Sequence, residues 1–306
     1  MSGPGTRRGT RASLATGLVV GAHRRRYAVE VDSGETLDCV LKGRAMTPVC
    51  GDRVEVVSDR TGTVIVAIEP RRTLFYRSDA FREKLIAANV TQVVGVVAPD
   101  VAADEDLLNR WIVAAETERC RFVLVQSKAD LPGTDEFAVR FLRYAALGYP
   151  VVTVCAHRDV SPLARWIAGQ HTVLIGQSGV GKSTLVNALV PDAGARIGVI
   201  SGALHSGRHT TTSTALYRVP GDDGWLVDSP GMKVFGLAHC APETLVNAFV
   251  ELRELAPMCR FRDCRHHREP GCAVQAGVVA GAVAPQRVAL LQALIGEAEM
   301  ARDPAR

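Results

Sequence analysis

Long hydrophobic runs are missing from this 306-residue chain. A helix that crosses a bilayer needs about 20 consecutive apolar residues, so no membrane-spanning helix is expected. The basic start, Met1 to Arg11, is not followed by an apolar segment either. No signal peptide is read, and a cytoplasmic chain is the expectation. Aromatic residues make up only 5% of the total. A nucleic-acid surface here must rest on phosphate and shape contacts more than on stacked bases. Charge of one sign is in small excess, with a net +4. Cysteine occurs eight times, but a cytoplasmic chain gives disulfides no setting. Cys39, Cys50, Cys120, Cys155 and Cys240 are scattered, as small buried apolar residues would be. Cys259, Cys264 and Cys272 cluster and need another explanation.

What charge there is sits at the front: residues 1–77 hold 13 Lys/Arg against 8 Asp/Glu. Residues 1–14 read as a disordered basic tail. Over 15–75, short β-rich runs at 18–20, 27–31, 37–41, 51–57 and 62–68 are separated by turn signals such as Asp32-Ser33-Gly34. Five strands at this spacing predict a small β-barrel of the OB type. Arg24, Arg25, Arg26, Arg71 and Arg72 would suit an RNA partner. A barrel used as a spacer, with a merely solvated basic surface, is the bland alternative.

From about residue 85 strands and helices alternate. Strands are expected at 93–97, 122–126, 151–154 and 172–175, and helices over 105–117 and 136–147. Alternation of this kind implies a parallel sheet covered on both faces, with ligand loops at the C-terminal strand ends. The segment Gly176-Gln177-Ser178-Gly179-Val180-Gly181-Lys182-Ser183 fits G-x-x-x-x-G-K-[ST], with a strand before it and a helix over 183–190 after it. Its glycines let backbone N–H groups turn toward phosphate oxygens. Lys182 would reach the β- and γ-phosphates, and Ser183, followed by Thr184, would ligate Mg²⁺. A nucleoside triphosphate is the expected ligand.

The strand ending at Gln126 runs into Ser127-Lys128-Ala129-Asp130, where a GTPase carries Asn/Thr-Lys-x-Asp. Asp130 would accept from guanine N1–H and the 2-amino group, a donor pair that adenine lacks, so a buried carboxylate would reject adenine. Lys128 would lie along the base. Ser127 in place of Asn costs the loop some anchoring. Cys155-Ala156 stands where Ser-Ala backs the base in such proteins. Asp228-Ser229-Pro230-Gly231 fits D-x-x-G: Asp228 would hold Mg²⁺, and the Gly231 N–H would meet the γ-phosphate. In the polar loop Gly207 to Thr212, Thr211 is assigned to the Mg²⁺ shell in the triphosphate state, which makes two switches. Met232 occupies the place of a water-orienting Gln. His209 is the local candidate for a catalytic group, although a histidine that only bonds backbone fits equally well. The base-reading motif precedes the P-loop and Asp228 comes last, so the motif order is circularly permuted within 76–240. The second switch therefore feeds directly into whatever follows residue 240.

Residues 241–306 read as a helical module, with helices over 242–255 and 286–300. They hold Cys259-x₄-Cys264-x-His266-x₅-Cys272, a set suited to tetrahedral Zn²⁺, with His267 as the adjacent alternative. Four protein ligands leave no open position, so the metal is expected to be structural.

With these residues in place, the chain resembles the ribosome small subunit-dependent GTPase A family (RsgA, also called YjeQ). The likeness covers nearly everything after residue 15. It includes Gly51-Asp52-Arg53-Val54, Ile86 to Val90, Gly176 to Thr184, Gly207 to Thr212, Asp228 to Gly231 with Phe235-Gly236-Leu237, Phe261 to Cys264 and Glu269 to Cys272. The resemblance implies an OB-fold barrel, a circularly permuted P-loop GTPase domain and a helical zinc-binding domain. GTP and GDP with Mg²⁺ are the expected ligands, and the chain is expected to be a monomer. Its partner would be the small ribosomal subunit and its rRNA late in assembly, with the subunit stimulating hydrolysis. The family's zinc ligands map onto Cys259, Cys264, His266 and Cys272. Two other classes remain open: an RNA-binding zinc protein whose nucleotide site only senses GTP, and a GTPase that handles zinc as cargo.

Overall fold

The computed structural model describes residues 13–43, 46–60, 62–78, 83–193, 214–221, 223–229 and 235–302. The β-rich front of the chain forms β1 (Ser13–His23), β2 (Arg26–Val31), β3 (Thr36–Leu41), β4 (Arg53–Asp59) and β5 (Gly62–Ile68). They pair in the order β1-β2-β3-β5-β4, and β4 returns to β1, so the five strands close into a barrel. The first strand is long enough, at 11 residues, to serve two partners. Ser13 to Leu18 pair with β4, and Gly17 to His23 pair with β2, with a bulge between Val19 and Gly21 that bends the strand. Gly17 sits where these partners meet. A Cβ there would lie 2.7 Å from the Glu30 carbonyl oxygen, so only glycine fits. Val19, Val29, Val54, Val56 and Ile65 fill the interior.

A hairpin that the sequence pattern did not announce follows: β6 (Leu74–Ser78) with β7 (Glu83–Ala88). The main sheet comprises β8 (Gln92–Val97), β9 (Arg121–Gln126), β10 (Val151–Thr153), β11 (His171–Gly176), β12 (Thr214–Arg218) and β13 (Trp225–Asp228). Its order is β10-β9-β8-β11-β13-β12, parallel except for β12. Every residue of β8 is buried, which is why Val93 to Val97 is almost wholly apolar rather than alternating. The barrel is not merely tethered to this sheet. β1 pairs antiparallel with β12 (Gly21 with Ala215, Ala22 with Thr214), making one 11-stranded sheet. Arg218 of β12 reaches Glu30 of β2 at 2.9 Å across the join.

The helices are α1 (Glu105–Thr117), α2 (Thr134–Val139), α3 (Leu142–Ala146), α4 (Ser161–Ile167), α5 (Lys182–Leu189), α6 (Pro242–Ala248), α7 (Ala273–Val279) and α8 (Pro285–Arg302). Asp104 caps α1 by accepting from the Leu107 N–H at 3.0 Å. The single helix expected over 136–147 is two short ones. Arg140 and Phe141 bond back three residues, to Phe137 and Ala138, and this tighter turn breaks the α ladder. The helix expected over 242–255 stops at Ala248. Phe249 takes extended dihedrals and is fully buried, and 3₁₀ turns at Val250–Leu252 and Ala256–Met258 follow. Helices α4 and α7 were not foreseen.

One apolar core runs from Phe75 of the hairpin through Trp111 and Ile112 of α1 into Leu245 and Phe249 and on to Leu291 and Leu294 of α8. Buried Arg287 of α8 ties the same layers together, pairing with Glu251 at 2.6 Å and donating to Asn109 of α1 at 3.0 Å. Among the described residues no helix is long and apolar enough to cross a membrane.

Candidate nucleotide site and metal centre

The P-loop spans the end of β11 and the start of α5. Gly179 and Gly181 take φ of 87° and 94°, values that residues with a Cβ rarely adopt. Gly176 is needed for a different reason: a Cβ there would sit 2.7 Å from the Val96 carbonyl oxygen. Lys182 is 7% exposed, and its ammonium donates to the Gly176 and Gln177 carbonyls at 2.9 Å each. Burial lowers its pKa, and the Asp228 carboxylate opposes this.

At the end of β13, Asp228 faces the start of α5. The Ser183 hydroxyl donates to Asp228 Oδ2 at 2.8 Å, while Asp228 Oδ1 is buried with no hydrogen-bond partner among the described residues. Burial raises the Asp228 pKa against the Ser183 bond and the Lys182 charge. A hard oxygen pair with an unsatisfied buried lone pair fits Mg²⁺. Sequence reasoning passed over the next residue, Ser229. It is 2% exposed, and its hydroxyl donates to the Leu174 carbonyl at 2.6 Å, pinning the end of β13 to β11. His209, Thr211 and Gly231 lie outside the described residues.

The Ser127–Asp130 loop leaves β9 beside the P-loop. Ser127 is 2% exposed, and its hydroxyl lies 2.5 Å from the Val180 carbonyl. A Cβ on Gly181 would meet Ser127 Oγ at 3.7 Å and Lys128 Cε at 3.8 Å, so the two loops are in contact. Lys128 pairs with Asp100 at 2.6 Å. The Cys155 thiol donates to Asp130 Oδ1 at 3.2 Å. That bond is the first cause of a lowered Asp130 pKa; the residue's own backbone N–H and the nearby Arg158 and His157 add to it against a desolvation penalty. Asp130 itself is exposed rather than buried, so burial of this carboxylate has to come from the base. A cavity of about 140 Å³ lies between Ser127, Lys128, Asp130, Ala156, Gly181 and Thr184. The residues expected to read the base and those expected to hold phosphate thus share one pocket. His157 and Leu185 also line it, and neither carries a motif signal of its own.

A family model described as RsgA GTPase matches residues 68–238. The chain belongs to the RsgA GTPase family. It is 44% identical over 301 residues to a Nitrosomonas europaea protein named small ribosomal subunit biogenesis GTPase RsgA, covering 96% of this chain and 95% of the relative. A crystal structure of YjeQ from Thermotoga maritima superposes with TM-score 0.71 at 29% identity, over 94% of this chain and 99% of that one. The structure of YloQ, described as a circularly permuted GTPase, shares the fold with TM-score 0.68 at 24% identity, over 98% of this chain and 100% of that one.

The second centre in this RsgA-family chain is built on the loop between α6 and α7. One ligand atom each from Cys259, Cys264, His266 and Cys272 lies within 4.8 Å of the others. Cys259 Sγ and Cys272 Sγ are 3.9 Å apart, and His266 Nδ1 is 3.5 and 3.6 Å from them. A tetrahedron with Zn–S of about 2.3 Å and Zn–N of about 2.0 Å has edges of about 3.5–3.8 Å, so the donor set fits Zn²⁺. The geometry separates the two histidines. His266 is 3% exposed and takes a left-handed φ of 58°. Its carbonyl is held by the amides of Gln275 and Gln292 at 2.6 and 2.7 Å. His267 is exposed. The Glu269 carboxylate accepts from the backbone N–H groups of Arg265, His267 and Arg268 and so shapes the loop.

Proposed function

We propose that this protein is a GTP hydrolase acting late in small ribosomal subunit assembly. It would bind the subunit and its rRNA in the GTP state and leave after subunit-stimulated hydrolysis. One observation carries the reading: Ser127, Lys128, Asp130 and Ala156 share one cavity with Gly181 and Thr184, beside the Ser183–Asp228 pair at 2.8 Å. In this reading the guanine loop and the Mg²⁺-phosphate site would meet on one ligand. The names of relatives at 44% identity over nearly the whole chain supply the biological setting.

In this reading Gly176 to Thr184 hold the phosphates, with Lys182 neutralising charge that grows on the β–γ bridge. Ser183 and Asp228, joined by Thr211, would hold Mg²⁺, which would supply electrostatic stabilisation of the transferring phosphoryl group. His209 positions the attacking water that Met232 is unable to orient. Cys259, Cys264, His266 and Cys272 hold one structural zinc. The working units are 15–75, 76–240 and 241–306 in a cytoplasmic monomer.

GTP and ATP hydrolysis by the pure protein, with and without small ribosomal subunits at fixed moderate salt, tests the proposal. Stimulation with GTP alone is expected. Tight GTP binding without stimulation would favour a nucleotide sensor. Equal use of ATP would remove the guanine assignment. Lys182→Ala should abolish nucleotide binding, and His209→Ala should lower stimulated turnover while binding persists.

A further inference from the structure

His157 lines the 140 Å³ cavity with Lys128, Asp130 and Ala156. It stands in a turn fixed by several bonds. The Cys155 carbonyl accepts from the N–H groups of Arg158 at 3.0 Å and Asp159 at 2.9 Å, and Cys155 and Asp159 form an isolated β-bridge. The Asp159 carboxylate then accepts from the Ser161 N–H at 2.8 Å, joining the turn to the start of α4. The turn therefore presents Ala156 and His157 to the cavity from a rigid base, and preorganised contacts lose little entropy on binding. A purine entering edge-on toward Asp130 exposes flat faces to whatever lines the walls. Lys128 brings an alkyl stem, and His157 is the one aromatic ring among the cavity's lining residues.

We propose that His157 is a base-contacting residue whose imidazole packs flat on the bound guanine. It contributes affinity common to purines, while Asp130 chooses guanine among them. The inference rests on the nucleotide reading above and deepens it. His157 also lies near enough to Asp130 to help hold that carboxylate ionised, so a stacking role and an electrostatic role must be told apart.

Equilibrium titrations of the full chain with GTP, ITP and ATP in the presence of Mg²⁺ do so. ITP lacks the 2-amino group, so the GTP-to-ITP ratio reports on Asp130 alone. His157→Ala is expected to weaken GTP and ITP equally, by about tenfold, as loss of a base–aromatic stack does. His157→Phe should restore affinity to within about twofold of wild type, and His157→Gln should not. Unchanged GTP affinity in His157→Ala would overturn the proposal. So would a changed GTP-to-ITP ratio, which would assign His157 to the charge on Asp130, and so would rescue by Gln but not Phe, which would assign a hydrogen bond. A wild-type chain that takes ATP as readily as GTP would instead defeat the nucleotide reading itself.

Discussion

The Ser127 hydroxyl lies 2.5 Å from the carbonyl oxygen of Val180 and ties the loop after β9 to the P-loop. The hydroxyl also lies 3.1 Å from the Val97 carbonyl, which accepts from the Ser127 backbone N–H at 2.9 Å. The one hydroxyl proton is best placed for the nearer Val180 carbonyl. A serine brings one donor where an asparagine would bring two, and that donor is the link between the two loops.

Ser127→Ala should therefore loosen both loops together. Loss of one buried hydrogen bond of about 1 kcal/mol corresponds to roughly fivefold weaker GTP and GDP binding. Rejection of ATP should persist because Asp130 is untouched. Fluorescent-nucleotide titration reads both. A loss of ATP rejection with unchanged GTP affinity would contradict this division of roles.

Asp228→Asn keeps the shape of the side chain but removes a buried charge whose Oδ1 has no partner among the described residues. The nucleotide-free protein should be no less stable than wild type, and more stable by up to about 1 kcal/mol. Mg²⁺-dependent tightening of GTP binding should disappear. Thermal melting together with GTP titration, with and without Mg²⁺, checks both parts. A large drop in apo stability would show that the carboxylate is structural.

His266→Ala should lose zinc, whereas His267→Ala should retain one zinc per chain by metal analysis. Because α1, α6 and α8 share a single apolar core, removing zinc should lower the melting temperature of the whole chain in one transition. Two separated transitions would mean that the C-terminal module unfolds on its own.

His239 packs against Tyr76 with ring centroids 4.0 Å apart and the rings tilted by 32°, and burial depresses its pKa to about 4. The unfolded chain binds this proton near pH 6.5, the folded chain only near 4. The contribution of His239 to stability is therefore complete above about pH 6.5 and falls away as the pH drops toward 4. His239→Gln should flatten the wild-type slope of stability between those values. Denaturant melts at several pH values measure it, and parallel slopes would refute the assignment.

Much of the site was legible because its signals are local. Gly176 to Ser183 declares itself by glycine spacing at a strand–helix junction. Ser127 to Asp130 does so by position after a strand, and Cys259 to Cys272 by ligand spacing alone. The alternating pattern after residue 85 likewise announced a parallel sheet, since periodicity records which face is buried. The helix break at Arg140 and Phe141 left no such mark, because Phe137, Phe141 and Tyr144 keep helical spacing across it.

The sequence by itself determined the motifs: the glycine loop Gly176 to Ser183, the Ser127 to Asp130 segment, Asp228 with Ser229 and the Cys259 to Cys272 set, each written within a dozen or so residues. Only the tertiary structure decided how these pieces meet. The pairing of Gly21 and Ala22 with Ala215 and Thr214, the Ser127–Val180 bond, the choice of His266 over His267 and the presence of His157 in the base cavity all join residues far apart in the chain or depend on one backbone dihedral. Local propensity and periodicity carry no information about such contacts; they are settled when burial of the shared core selects one arrangement of the whole chain.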